Sequence, residues 1–365
     1  MASRGYILVV TPDRGAAPTV LFFGGLAASR PGQIRIAQYR RDAMAAALGG
    51  ASAVVFVRGL PEFADLVLLA ERLGVPRYYF VDDHFMVIRE QGGDAAAFAR
   101  DHSQATVAGM LTGFGGVLVS TERLAADFRQ RAIHERLELF PPVAIAAVPR
   151  RGHGNAMRIG FFGGSHLHAM LHSTIVPAAR ELAASRPVTL VVVGGKDPIA
   201  ESPGLTVEHL PYQRSYLDGV RALGQAGVTV LAHPMAPGLP SNPYKNPHAL
   251  ITAEAIGAVP VVSDTPPYAS LRDRGIAILC ADDAAAWHDG LGRAADESAA
   301  LSPRLSAYCR SEFSGRVNQQ AWDDMLAAHS RPSIATVARR TVWAATTLFA
   351  GRVGRGVRRV AEVAA

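Results

Sequence analysis

Two residues stand out for their rarity. Of 37 Lys and Arg residues, only Lys196 and Lys245 are lysines. A GC-rich genome accounts for the bias towards Arg, so position is what makes the two lysines informative. Each follows a short apolar run of strand type. Lys245 lies in His233-Pro-Met-Ala-Pro-Gly-Leu-Pro-Ser-Asn-Pro-Tyr-Lys-Asn-Pro-His248, a Pro-rich loop that also carries Asn242 and Tyr244. A helix is predicted next, with Asn246 as N-cap and Pro247 at its first position. A cation beside a helix N-terminus suits a diphosphate. The helix closes at Gly257 and carries a single charge, Glu254. A carboxylate on so apolar a helix needs a partner. The hydroxyls of a ribose or sugar would serve, and so would a nearby Arg.

Two further loops have related chemistry. In Arg158-Ile-Gly-Phe-Phe-Gly-Gly-Ser-His-Leu-His168 a strand ends at Gly163-Gly164, and Ser165 can cap the helix that follows. Glycines let a ligand approach the backbone, although an ordinary tight turn uses them too. His166, His168 and His172 do not converge on one helix face, so no metal site is expected. In Val191-Val-Val-Gly-Gly-Lys-Asp197 a strand again ends in two glycines, now with Lys196. That lysine can reach an anion or simply point into water. Nearby, Tyr212 offers a ring on which a base can stack, or one that packs into the core. Asp82-Asp83-His84 follows a buried-type strand. These residues can bind an acceptor, act as a base on its hydroxyl, or cap the next helix.

These loops need strands and helices to position them. Strands are predicted at Tyr6–Val10, Val20–Phe23, Ala53–Val57, Tyr78–Val81 and Val117–Ser120. Helices are predicted over Gln33–Leu48, Ala64–Leu73, Ala95–Leu111 and Arg123–Arg131. After a breaker-rich linker at Pro149–Asn155 come strands at Arg158–Phe162, Val188–Val193, Leu205–His209, Val228–Ala232, Val259–Ser263 and Ile276–Cys280. A helix is predicted over Leu305–Ala328. The alternation implies an α/β protein of two doubly wound parallel-sheet domains, residues 1–150 and 151–330, with a basic tail at 331–365. Ligands of such sheets bind beyond the carboxyl ends of the strands, so a cleft between the domains is the expected site.

Composition narrows the function. Half the chain is apolar and 19% is charged, which excludes a disordered, solvated chain. The net charge of +6 lies entirely in residues 331–365, which hold seven Arg and one Glu. A neutral body argues against nucleic acid as a partner. Two cysteines make neither a disulfide scaffold nor a metal site, and a reduced cytosol fits. The opening run Tyr6–Val10 is too short for a signal-peptide core, and no transmembrane helix is expected. Thr341–Gly351 is eleven uncharged residues between Arg340 and Arg352, a length that suits a helix at an anionic membrane surface. A helix packed on the body, or a disordered tail, reads the same way.

The second half resembles the donor domain of GT-B-fold glycosyltransferases, in particular the retaining "group 1" or family 4 enzymes. The resemblance rests on the two Gly-Gly strand ends and on Asn242–Asp264, with Glu-Ala-Ile-Gly-Ala-Val-Pro-Val-Val-Ser-Asp at its end. The family carries two Glu eight positions apart; here Glu254 matches the second and Asn246 stands at the first. The family's basic residue in the first glycine loop is also missing, and Lys245 with Lys196 would replace it. The resemblance implies transfer of a sugar, with retention, from a nucleotide-diphosphate sugar to a glycan or lipid-linked acceptor. Lys245 and Glu254 would be catalytic. Gly163, Gly164, Ser165, Lys196, Tyr212, Asn242, Tyr244 and Asn246 would bind the donor, and Asp82, Asp83 and His84 would face the acceptor. It implies no cofactor beyond the donor, and a cytoplasmic enzyme, free or at the inner membrane face. A nucleotide-sugar epimerase on the same fold, using Asp83 and His84, and a non-catalytic scaffold are the alternatives.

Overall fold

The computed structural model describes residues 6–39, 44–92, 96–97, 99–152, 157–164, 167–195, 197–329, 332–333 and 335–343. Twelve strands among these residues form two six-stranded sheets, parallel throughout. The first contains β1 (Tyr6–Thr11), β2 (Ile34–Gln38), β3 (Ala51–Val57), β4 (Arg77–Val81), β5 (Gly116–Val119) and β6 (Leu137–Leu139), in the order β2-β1-β3-β4-β5-β6. The second contains β7 (Met157–Phe161), β8 (Val188–Val193), β9 (Leu205–Leu210), β10 (Val230–His233), β11 (Val259–Ser263) and β12 (Ile278–Cys280), in the order β12-β11-β10-β7-β8-β9. Helices cover both faces, so β1, β3 and β4 are buried along their whole length. This is the doubly wound α/β architecture expected from the alternation of strand and helix runs.

Four local expectations change. Val20–Phe23 is helical, part of a continuous run through Ala17–Thr19, Val20–Gly24 and Gly25–Ser29. Pro18 sits in its first turn, and Phe22 and Phe23 pack on Phe80 with ring centroids 4.6 and 5.0 Å apart. A four-residue apolar run does not distinguish a strand from a buried helix, and tertiary packing decides it. Gln33–Leu48 is not one helix: Ile34–Gln38 is the edge strand β2, and the helix is Met44–Gly50. The helix predicted from Ala95 has its last part at Gln104–Leu111, where the Ser103 hydroxyl caps the Thr106 N–H at 3.1 Å. Leu305–Ala328 is two helices, Ala284–Glu312 and Arg316–Ala328, separated at Gly315 with φ +76°.

The last of these has a consequence for packing. Helix Arg316–Ala328 returns to the first sheet instead of ending the second domain. Its Trp322 is fully buried beside Phe23, Arg30 pairs with Asp323, and Asn318 Nδ2 donates to Pro141 O at 2.8 Å. The chain leading into the linker runs alongside, with Ala144 N donating to Phe313 O at 2.8 Å. Residues 335–343 also dock on the first domain. Arg340 donates to the carbonyls of Leu73, Gly74 and Ala51, at the end of helix Ala64–Arg72 and the start of β3. The rest of the tail, from 344 onward, lies outside the described residues. No described helix is long and apolar enough to cross a membrane.

Candidate functional site

Each sheet has one place where the chain reverses its progress along the strand order, between β1 and β3 and between β7 and β10. Ligand crevices open at such points. A cavity of about 680 Å³ lies there, walled on one side by residues following β1, β3 and β4 and on the other by residues at the ends of β7, β9 and β10.

The first-domain wall is charged. Arg58 follows β3, and Asp82 and Asp83 follow β4. Arg58 Nε and Nη2 donate to the two Asp82 oxygens at 2.5 and 2.6 Å, and Nη2 also donates to Asp83 Oδ2 at 2.7 Å. Arg58 has φ +54°, a backbone region that costs a non-glycine residue about 1 kcal/mol or more. The bidentate pair holds it there. Burial pushes the Asp82 carboxyl up, with Arg58 opposing. Burial also opposes ionisation of Asp83, but Lys245 and Arg58 outweigh it and hold that carboxyl well below the usual range. Asp83 is therefore a poor base in this arrangement.

The second-domain wall supplies Gly163, Gly164, Lys245, Asn246, His248 and Tyr212. A Cβ on Gly163 would stand 3.0 Å from Leu167 and 3.2 Å from Phe161, so any larger residue would press on both side chains. Lys245 reaches across the cleft, its Nζ donating to Asp83 Oδ1 at 3.2 Å. His248 begins the helix His248–Ile256. Burial, then Lys245, lowers its pKa to about 4, so the ring is neutral near pH 7. Its ring lies 5.1 Å from that of His233, which also lines the cavity. Tyr212 is 77% exposed at the rim, with its ring free on the solvent side. Gly194, at φ +77°, packs beneath it.

Several expected site residues do other work. Asn246 does not cap the helix: Pro247 occupies the cap position without a side-chain bond. Asn246 instead lines the cavity, 8% exposed, its Oδ1 without a hydrogen-bond partner among the described residues. Asn242 fixes the Pro-rich loop by donating to Ala236 O at 2.7 Å. Tyr244 joins the domains. Its carbonyl accepts from Thr121 Oγ1 at 3.2 Å, and its hydroxyl donates to Asp127 at 3.3 Å. His84, not Asp82 or Asp83, caps helix Phe85–Gln91, its Nδ1 accepting from Val87 N at 3.3 Å. Its Nε2–H therefore donates to Asp127 at 2.5 Å, and the buried ring is absent from the cavity wall. Glu254 is also absent from that wall and accepts from Ser306 Oγ at 3.4 Å. It lies six residues beyond His248, about 240° around the helix, whereas Thr252 faces the cleft. Gly257 ends that helix at φ +61°, as expected. Ser165 and Lys196 lie outside the described residues. No group of three or more His, Cys, Asp or Glu among the described residues can hold a metal ion.

Sequence reasoning missed Arg58, His233 and His248. Each had a signal: Arg58 follows a buried strand as Asp82 does, and the two histidines bracket the Pro-rich loop.

No protein-family model matches the chain, and no curated protein matches it in sequence. Solved structures are similar. A putative UDP-N-acetylglucosamine 2-epimerase from Listeria monocytogenes superposes with a TM-score of 0.58 at 9% identity, over 91% of this chain and 99% of that one. An alpha-glucosyltransferase solved with UDP-glucose and DNA containing an abasic site gives 0.57 at 7% identity, over 89% and 100%. Anabaena HepE in complex with UDP gives 0.56 at 10% identity, over 88% and 100%. At such identities the likeness is one of fold: two facing Rossmann-like domains, the GT-B arrangement.

Proposed function

We propose that the chain is a glycosyltransferase that moves a sugar from a nucleotide-diphosphate donor to an acceptor bound in the interdomain cleft. One observation carries this reading. A glycine turn at Gly163-Gly164, a lysine and a helix start converge on one wall of a cleft of about 680 Å³. The similar structures agree with it, since several are glycosyltransferases and some hold UDP or UDP-glucose. In the reaction the bond from the anomeric carbon to the phosphate oxygen breaks and a bond to the acceptor oxygen forms. The acceptor's proton leaves with the departing diphosphate. Negative charge grows on that diphosphate, and Lys245, beside the positive end of the helix that begins at His248, is placed to stabilise it. Tyr212 offers its exposed face to the base. Asn246, with an unpartnered oxygen, can accept from a sugar hydroxyl.

Retention of configuration fits this arrangement, because Asp83 is bonded to Arg58 and makes a poor base, leaving the departing phosphate to take the proton. Asp82 and Asp83 then orient the acceptor. A glycan or lipid-linked acceptor at an anionic membrane face fits the Arg-rich residues 331–365 and the exposed Val342 and Trp343. The epimerase reading has the similarity to the putative epimerase from Listeria monocytogenes behind it. It asks for an acid/base pair in the cleft, and His84 is occupied in capping a helix.

The test is to incubate the protein with UDP- and GDP-sugars, with and without glycan acceptors, and to follow free nucleoside diphosphate and sugar. Acceptor-dependent release of nucleoside diphosphate is expected. Lys245→Ala should lower turnover about 100-fold or more, with Arg221→Ala as an exposed control. Epimerised sugar from donor alone would overturn the transferase reading.

A further inference from the structure

The charges at the centre of the cleft cancel. Arg58 and Lys245 face Asp82 and Asp83, two cations against two carboxylates. A diphosphate entering this arrangement unchanged would gain nothing from its net charge. Asp13 and Arg214, one charge of each sign, line the same cavity and leave this balance unchanged. For the central cluster to attract a diphosphate one of its own cations has to be released, and the geometry says which. Arg58 is locked, with bonds to both Asp82 oxygens and to Asp83 and a left-handed backbone that aims it. Lys245 holds Asp83 through one contact at 3.2 Å, on a flexible stem whose side chain is 26% exposed. It also stands beside Asn246 and the His248 helix start, on the wall that carries the glycine turn.

We infer that Asp83 is a positioning residue that stands in for the donor's diphosphate: its carboxylate holds Lys245 across the cleft, and an incoming diphosphate takes Lys245 from it. The inference rests on the reading that the cleft binds a nucleotide-diphosphate sugar. It goes beyond that reading by giving a first-domain carboxylate control of donor affinity. Donor entry exchanges one ion pair for another, so affinity is set by the difference between the two. It also leaves Asp83 with Arg58 as its remaining cation, so one carboxylate oxygen is free to meet an acceptor hydroxyl only after the donor is seated. Ordered binding, donor first, follows from this.

The experiment is a double-mutant cycle on the full chain, read by calorimetric titration with UDP and with GDP. Wild type, Asp83→Asn, Lys245→Met and the double variant are compared. Asp83→Asn keeps the shape and an acceptor for Arg58 while freeing Lys245. It should tighten binding of the nucleoside diphosphate about tenfold, within the usual span of such couplings. Lys245→Met should weaken binding, and adding Asp83→Asn to it should restore less than about twofold. Unchanged or weaker binding by Asp83→Asn would overturn the inference. So would an equal gain in the Lys245→Met background, which would mark general removal of negative charge. If none of the four proteins binds either nucleotide, the functional reading itself falls. Asp83→Ser carries the same expectations should Asp83→Asn not fold.

Discussion

At the scale of single residues, rarity and position told more than residue type. Lys245 was legible because lysine is almost absent from the chain and this one precedes a helix. Glu254 looked functional because it was alone on an apolar helix, yet its partner is Ser306 from another helix, and only folding brings the two together. His248 was not legible as a cleft residue, although its neutrality has a measurable consequence. Its pKa falls from 6.5 in an unconstrained chain to about 4 in the fold. As pH drops, the unfolded chain takes the proton first, so stability is lost between about pH 6.5 and pH 4 and is whole above that window. The loss from this ring is on the order of 3 kcal/mol at most. His248→Asn should therefore lose less melting temperature than wild type between pH 7 and pH 4.5. Equal losses would mean that the ring is not held neutral.

At the scale of elements, strands with continuous β-branched runs were readable because both of their faces are buried. Elements decided by what packs on them were not. Val20–Phe23 is helical because Phe22 and Phe23 find Phe80 on the sheet, and β2 is a strand because β1 offers it an edge. The three residues of β6 are too few to give a periodic signal. Helix Tyr216–Gln225 shows how an element shapes the cleft. Its Gly219 packs so closely on the Phe162 ring that a Cβ would collide with it, and Phe162 lines the cavity. Alanine is the better helix former by about 1 kcal/mol, yet overpacking here costs about 1–3 kcal/mol. Gly219→Ala should lower the melting temperature and weaken nucleotide binding together. A rise in melting temperature with unchanged binding would show that the ring moves aside freely.

At the scale of the whole molecule, the C-terminal segment joins the two domains. Helix Arg316–Ala328 returns to the first sheet, and Arg340 closes carbonyls of the first domain. Truncation after residue 330 should therefore lower the melting temperature more than truncation after residue 343, because it removes the Arg340 bonds. If residues 344–365 carry the membrane affinity, the shorter truncation should also reduce sedimentation with anionic vesicles; full sedimentation would remove that role. The sequence by itself determined the alternation of strand and helix, the two glycine turns and the neutral body with its basic tail. Those features depend on local pattern and composition, which a chain carries before it folds. Only the tertiary structure decided that Lys245 meets Asp83, that His84 is a cap and that helix Arg316–Ala328 packs against the first sheet. Each depends on groups far apart in the chain, such as the 162 positions between Asp83 and Lys245, and packing alone brings such groups into contact.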